Sequence, residues 1–189
     1  MREIALHLLD IAENSVAAHA TAIQIRVSED LHADRLSLSV KDNGKGMDAE
    51  TVARVIDPFV TSRTTRKVGL GIPLFKAAAE ACNGSLTIDS TVGEGTTLYA
   101  DFQHSHIDRM PLGDISSTFL SMLIAHPDIH WLFDYSATSK DGNSSETFSF
   151  DDEPVKETLE GLPLTEPAVL EYLHEVFDDG IASTQKTLI

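Results

Sequence analysis

The alternation Leu36, Leu38, Val40, closed by Asp42, constrains this chain more than any other stretch. Ser37, Ser39 and Lys41 fill the intervening positions, so the segment reads as a half-buried strand with one apolar face. Asn43-Gly44-Lys45-Gly46 follows directly. A strand ending on a carboxylate and a Gly-x-Gly turn holds that carboxylate still and strips side chains from the backbone beside it, so a flat ligand can approach closely. A buried carboxylate only accepts hydrogen bonds and therefore suits an exocyclic amine such as that of adenine. Asp-Asn-Gly is equally an ordinary hairpin turn, so the rest of the chain has to decide between the two.

Three further stretches bear on that choice. Asp10-Ile11-Ala12-Glu13-Asn14-Ser15 sits inside an apolar-periodic run from about Ile4 to Ala20, with Ile4, Leu8, Ile11 and Val16 at helical spacing. Asp10 and Asn14 are four apart and project from one helical face. An amide carbonyl suits a magnesium ion, and a carboxylate one turn away can orient or deprotonate an attacking group. Gly69-Leu70-Gly71-Ile72 opens a helix expected to run to Cys82, with Pro73 in its first turn. A glycine turn feeding a helix N-terminus presents free amides to phosphates. Gly93-Glu94-Gly95-Thr96 is a tight turn between two expected strands. Between Thr61 and Val68 the chain has no periodicity and carries Arg63, Arg66 and Lys67, which is what a mobile lid over a triphosphate requires.

In this order and spacing the motifs resemble the ATP-binding domain shared by histidine kinases, gyrase B, mismatch-repair MutL and the heat-shock chaperones. Asp57-Pro58-Phe59-Val60-Thr61-Ser62-Arg63 looks like the lid segment of the histidine-kinase branch. The resemblance covers roughly the first 103 of 189 residues. It implies an α/β fold of the Bergerat type: a two-layer sandwich with a mixed, largely antiparallel sheet, helices on one face, and ATP between those helices and the lid. It also implies roles. Asp10 occupies the general-base position, where many family members carry the longer glutamate, and Asn14 is the Mg2+ ligand. Asp42 anchors adenine beside Gly44 and Gly46, Met47 lines the pocket, and Thr96 hydrogen-bonds near the base. Thr61, Arg63 and Lys67 belong to the lid, and Gly69, Leu70, Gly71 and Ile72 to the phosphate-facing turn.

The second half differs in composition. Up to residue 103 there are 14 acidic and 10 basic side chains; beyond it there are 16 and 4, within a total net charge of −16. Such a surface argues against binding nucleic acid or anionic lipid through bulk electrostatics. It favours solubility or an acidic docking face. The reading is a domain at 1–103 followed by a small acidic α+β domain at 104–189. In that second part Asp114 caps a helix, Ile129, Trp131, Phe133 and Tyr135 alternate along a strand, Lys140-Asp141-Gly142-Asn143 turns a hairpin, and two helices follow, the last expected to stop at Gly180. His104 and His106 read as surface residues. Glu29 to Asp34 reads as a polar turn. No catalytic constellation stands out in this half.

One cysteine, Cys82, excludes an intrachain disulfide. The N-terminus shows neither a signal peptide nor a membrane span, so a cytoplasmic protein is expected. A complete histidine kinase carries its phosphoacceptor histidine on a helical segment ahead of this domain, and here the domain starts at residue 1. The expectation is a stand-alone Mg-ATP-dependent ATPase or protein kinase acting on a separate partner protein. The alternative is a module in which ATP only gates partner binding.

Overall fold

The computed structural model describes residues 3–57, 71–159 and 161–189. The strands are β1 (Ala22–Asp30), β2 (Arg35–Asp42), β3 (Ser85–Thr91), β4 (Gly95–Gln103), β5 (His130–Thr138) and β6 (Ser145–Asp151). They form one six-stranded sheet in the order β3-β4-β2-β1-β5-β6. Every neighbouring pair is antiparallel except β1 and β5. The helices are α1 (Ile4–Ala17), α2 (Ala49–Ile56), α3 (Gly71–Ala81), α4 (Ile115–Ala125), α5 (Asp152–Thr158) and α6 (Pro167–Gln185).

The two-residue period of the strands builds the core. Ile23, Ile25 and Val27 of β1, Leu36, Leu38 and Val40 of β2, Leu98, Ala100 and Phe102 of β4, and Trp131, Phe133 and Tyr135 of β5 are all buried. Register brings these alternations into line: Ile25 stands between Val40 on one side and Phe133 on the other. A slip of one residue would turn an entire strand's apolar set to solvent. Helices α1, α3, α4 and α6 cover this face. Phe75 of α3 packs on Phe102. Phe177 of α6 meets Phe119, Phe133, Phe148 and Phe150 with ring centroids between 4.8 and 5.4 Å apart. The mixed, antiparallel-dominated sheet with helices packed on it is the Bergerat arrangement.

Side-chain carboxylates cap the heads of two helices, the second where the sequence places it. Asp48 accepts from the Thr51 amide at the head of α2, and Asp114 accepts from the Ser117 amide at the head of α4. Helix α1 has no side-chain cap. The amides of Ile4 and Ala5 donate instead to the carbonyls of Pro111 and Leu112, 3.0 and 2.9 Å away. A segment more than a hundred residues downstream satisfies donors that the first turn leaves open.

Strands from both sides of residue 103 share the sheet. β5 runs parallel to β1 along the whole of both strands, from Ala22 beside His130 to Asp30 beside Thr138. Three local expectations need correction. Helix α6 does not stop at Gly180 but continues to Gln185, and Gly180 lets the Phe148 ring press against the helix backbone. Glu29 is not in a turn: it closes the buried row of β1 and is 8% exposed. His104 is half-buried rather than free on the surface, with its Nε2 2.8 Å from Glu29 Oε2.

Candidate functional site

Asp42 ends β2 beneath the C-terminal end of α1, and it is buried. Two donors hold its carboxylate. The Ser15 hydroxyl donates to Oδ2 at 2.6 Å and the Gly44 amide donates to Oδ1 at 2.8 Å. An ionised carboxylate offers about four lone-pair sites, so capacity remains for a ligand. The next residue fastens the strand end. Asn43 Oδ1 accepts from the amides of Thr21 and Ala22, and its Nδ2 donates to the Thr21 hydroxyl.

The glycine turn runs on between two walls. The Lys45 amide donates to the Ala18 carbonyl and the Lys45 carbonyl accepts from Gly93. Gly46 has φ +63°, and a Cβ there would fall 1.9 Å from the Thr91 carbonyl oxygen. Both the left-handed backbone and the close approach require glycine. Beside it the Ser90 hydroxyl accepts from the Met47 amide, donates to the Gly95 carbonyl and lies 2.9 Å from Thr96 Oγ1.

Above Asp42 opens a cavity of about 330 Å³. Ile11, Val40, Met47, Val55, Ile72, Ile88 and Leu98 supply its apolar wall; Asn14, Ser15, Asp42, Lys45 and Thr96 supply polar groups. A mostly apolar cleft with a few convergent polar groups is the usual form of a small-molecule site. Of the residues singled out in the sequence, Asn14, Asp42, Gly46, Met47, Ile72 and Thr96 line this cavity, and Gly44 braces Asp42 beside it. Asp10 is set apart. It lies one turn before Asn14, whose Nδ2 donates to the Asp10 backbone carbonyl at 2.8 Å, and its carboxylate abuts Gly71. Thr61, Arg63, Lys67, Gly69 and Leu70, with the rest of the expected lid, lie outside the described residues.

Ser15 and Lys45 have site positions that motif reading did not assign. The signal for Ser15 was its place immediately after Asn14, which turns it from the helix face of Asn14 toward the strand end. Val55 and Ile88 carry no motif; only the packing of α2 and β3 brings them to the wall. Among the described residues no helix is long and apolar enough to cross a membrane.

The model of the histidine kinase-, DNA gyrase B- and HSP90-like ATPases matches residues 1–106, more than half of the chain. The chain belongs to that family. Its similarity runs to sensor kinases. It is 43% identical over 89 residues to the sensor protein kinase FleS of Pseudomonas aeruginosa, covering 47% of this chain and 22% of that one. It is 32% identical over 111 residues to a non-motile and phage-resistance protein of Caulobacter vibrioides, covering 54% of this chain and 13% of that one. The chain thus spans less than a quarter of the length of these relatives. Among solved structures, full-length ShkA in complex with AMPPNP aligns with 26% identity and a TM-score of 0.43 over 51% of this chain and 20% of that one. As a histidine-kinase-like ATPase domain, the chain is an ATP-binding module, and its cavity lies within the matched segment.

Proposed function

We propose that this protein binds Mg-ATP in the cavity over Asp42 and transfers or hydrolyses its terminal phosphoryl group in concert with a separate partner protein. The observation that carries the reading is the Asp42 carboxylate, buried at the cavity floor and already fastened by Ser15 and Gly44. In that state it accepts from the exocyclic amine of adenine and repels the O6 acceptor of guanine. Met47, Ile72, Ile88 and Leu98 sandwich and dry the base. Asn14 spends its amide nitrogen on the Asp10 carbonyl, which leaves its oxygen to a hard cation. The magnesium ion, when bound, neutralises phosphate charge. Gly71, first residue of α3, brings backbone without a side chain against Asp10, and Lys45 adds a positive charge at the cavity wall.

A second reading has support in the placement of Asp10. Its carboxylate rests on Gly71 and is not part of the cavity wall, so nucleotide could bind and switch partner affinity with little turnover. Calorimetry with ATP and GTP, with and without magnesium, tests the shared part: ATP binds better, and equal affinity for both nucleotides sinks the pocket assignment. Phosphate release with and without co-purified partner proteins then separates phosphoryl transfer from a binding switch.

A further inference from the structure

Outside the nucleotide cavity, the first residue of β5, the last of β6 and the first of α5 converge. His130 Nε2 lies 3.0 Å from Asp151 Oδ1 and 3.9 Å from Asp152 Oδ1. One donor atom from each of the three residues lies within 4.8 Å of the other two. We propose that His130, Asp151 and Asp152 form a binding site for a divalent cation of the zinc class, separate from the magnesium–nucleotide site.

Asp152 supplies the observation that points to a ligand. It is fully buried, and neither carboxylate oxygen receives a hydrogen bond. The Lys156 ammonium is 2.6 Å from Oδ2 but lies off the hydrogen-bonding direction and donates to the Ile129 carbonyl at 2.7 Å. Lys156 therefore steadies Oδ2 by charge alone, while Oδ1 faces His130 with no donor. A buried carboxylate oxygen without a partner is costly. A cation at that point removes the cost.

The spacing fits a metal. Tetrahedral coordination with zinc bonds of about 2.0–2.2 Å puts neighbouring donor atoms roughly 3.3–3.5 Å apart. Two of the three separations, 3.0 and 3.9 Å, lie to either side of that spacing, and all three donors fall within 4.8 Å, so a bound cation would draw them together. The imidazole is also braced from behind, since its Nδ1 lies 3.5 Å from Glu153 Oε1. A carboxylate near the far nitrogen can take the Nδ1 proton once a cation replaces the hydrogen bond between Nε2 and Asp151 Oδ1. Asp151, Asp152 and Glu153 outweigh the single charge of Lys156 by two negative units. One nitrogen with two carboxylates suits zinc or manganese better than magnesium, which prefers oxygen alone. A fourth position is left to water.

The competing arrangement is the His130–Asp151 hydrogen bond with no metal. Titration calorimetry of the full chain with Zn2+, in nucleotide-free buffer, separates the two. The expected result is one saturable site that His130→Gln and Asp151→Asn each weaken by about tenfold or more, while His106→Gln leaves it unchanged. Both substitutions are at side chains with solvent access, and unchanged ATP binding and circular dichroism confirm that the fold survives. Heat release should also depend on the buffer's ionisation enthalpy wherever metal displaces a proton. No saturable binding to the parent, or equal binding to parent and His130→Gln, overturns the proposal.

Discussion

Oδ2 of Asp10 occupies the space where Gly71 would carry a side chain: a Cβ built there would sit 1.7 Å from it. The acid on α1 and the first residue of α3 are fitted to one another. Gly71→Ala leaves α3 able to form, because the obstructing atom is the end of a side chain that can swing away. The cost falls on Asp10. Phosphate release should drop while ATP affinity changes little, and Gly71→Ala combined with Asp10→Asn should cost no more than Asp10→Asn alone, since both act on one group. Additive losses in that double-variant cycle would show that Gly71 acts independently of Asp10.

Asp42→Asn keeps the shape of the cavity floor and removes its charge. ATP affinity should fall by about 1–3 kcal/mol, the cost of losing a charge-assisted hydrogen bond in a desolvated site. Ser15→Ala removes one of the two donors that orient the carboxylate and should weaken ATP in the same direction by a smaller amount. Calorimetry of both variants checks the order. A Ser15 variant worse than Asp42→Asn would mean that the hydroxyl meets the nucleotide directly.

Glu29 predicts a pH dependence at the far end of the sheet. Burial by itself would raise its carboxyl, but hydrogen bonds from His104 and from the Tyr135 hydroxyl, helped by the charges of His104 and Arg109, bring it below its ordinary value of 4.5. A carboxyl lowered by folding stabilises the protein above its unfolded value, and that contribution disappears as pH falls through the folded value. The difference in stability between the parent and Glu29→Gln should therefore be full above about pH 4.5 and shrink below it. Tyr135→Phe should cost on the order of 1–3 kcal/mol near neutral pH by leaving the buried carboxylate short of a donor. Thermal melts across a pH series read both effects; a gap that widens on acidification would contradict the assignment.

Gly180 sets helix propensity against packing. Alanine is better than glycine inside a helix by about 1 kcal/mol. A Cβ at this position would approach Phe148 Cδ2 to 2.3 Å, and such overpacking costs roughly 1–3 kcal/mol. Packing should win. Gly180→Ala is expected to lower the melting temperature, and adding Phe148→Leu should recover part of the loss. A more stable Gly180→Ala would show that the ring moves aside freely.

Much of the site was legible because its chemistry is local. Asp10 and Asn14 share a helix face by spacing alone, and Asp42 with Gly44 and Gly46 reads directly from a strand that ends on an acid. The cap residue Asp114 acts within three residues of itself, so its helix starts where expected. Glu29 and His104 were misread for the opposite reason. Each is polar in a polar stretch, and what buries them is a partner 75 residues away. Gly180 reads as a stop only if the ring it faces is unknown.

By itself the sequence determined the strand alternations, the helix stripes and the motif residues Asn14, Asp42, Gly46, Met47, Ile72 and Thr96 of the cavity, because side-chain period and turn chemistry operate over a few residues. Tertiary structure alone decided which alternations lie side by side. It joined β5 to β1 in parallel, so that Trp131, Phe133 and Tyr135 extend the core begun by Ile23, Ile25 and Val27. It capped α1 with carbonyls from residues 111 and 112, and it turned Ser15 onto Asp42. It also gathered His130, Asp151 and Asp152 at one rim of the sheet. Those pairings minimise exposed apolar surface and unpaired polar groups across the whole chain, and no window of neighbouring residues contains that sum.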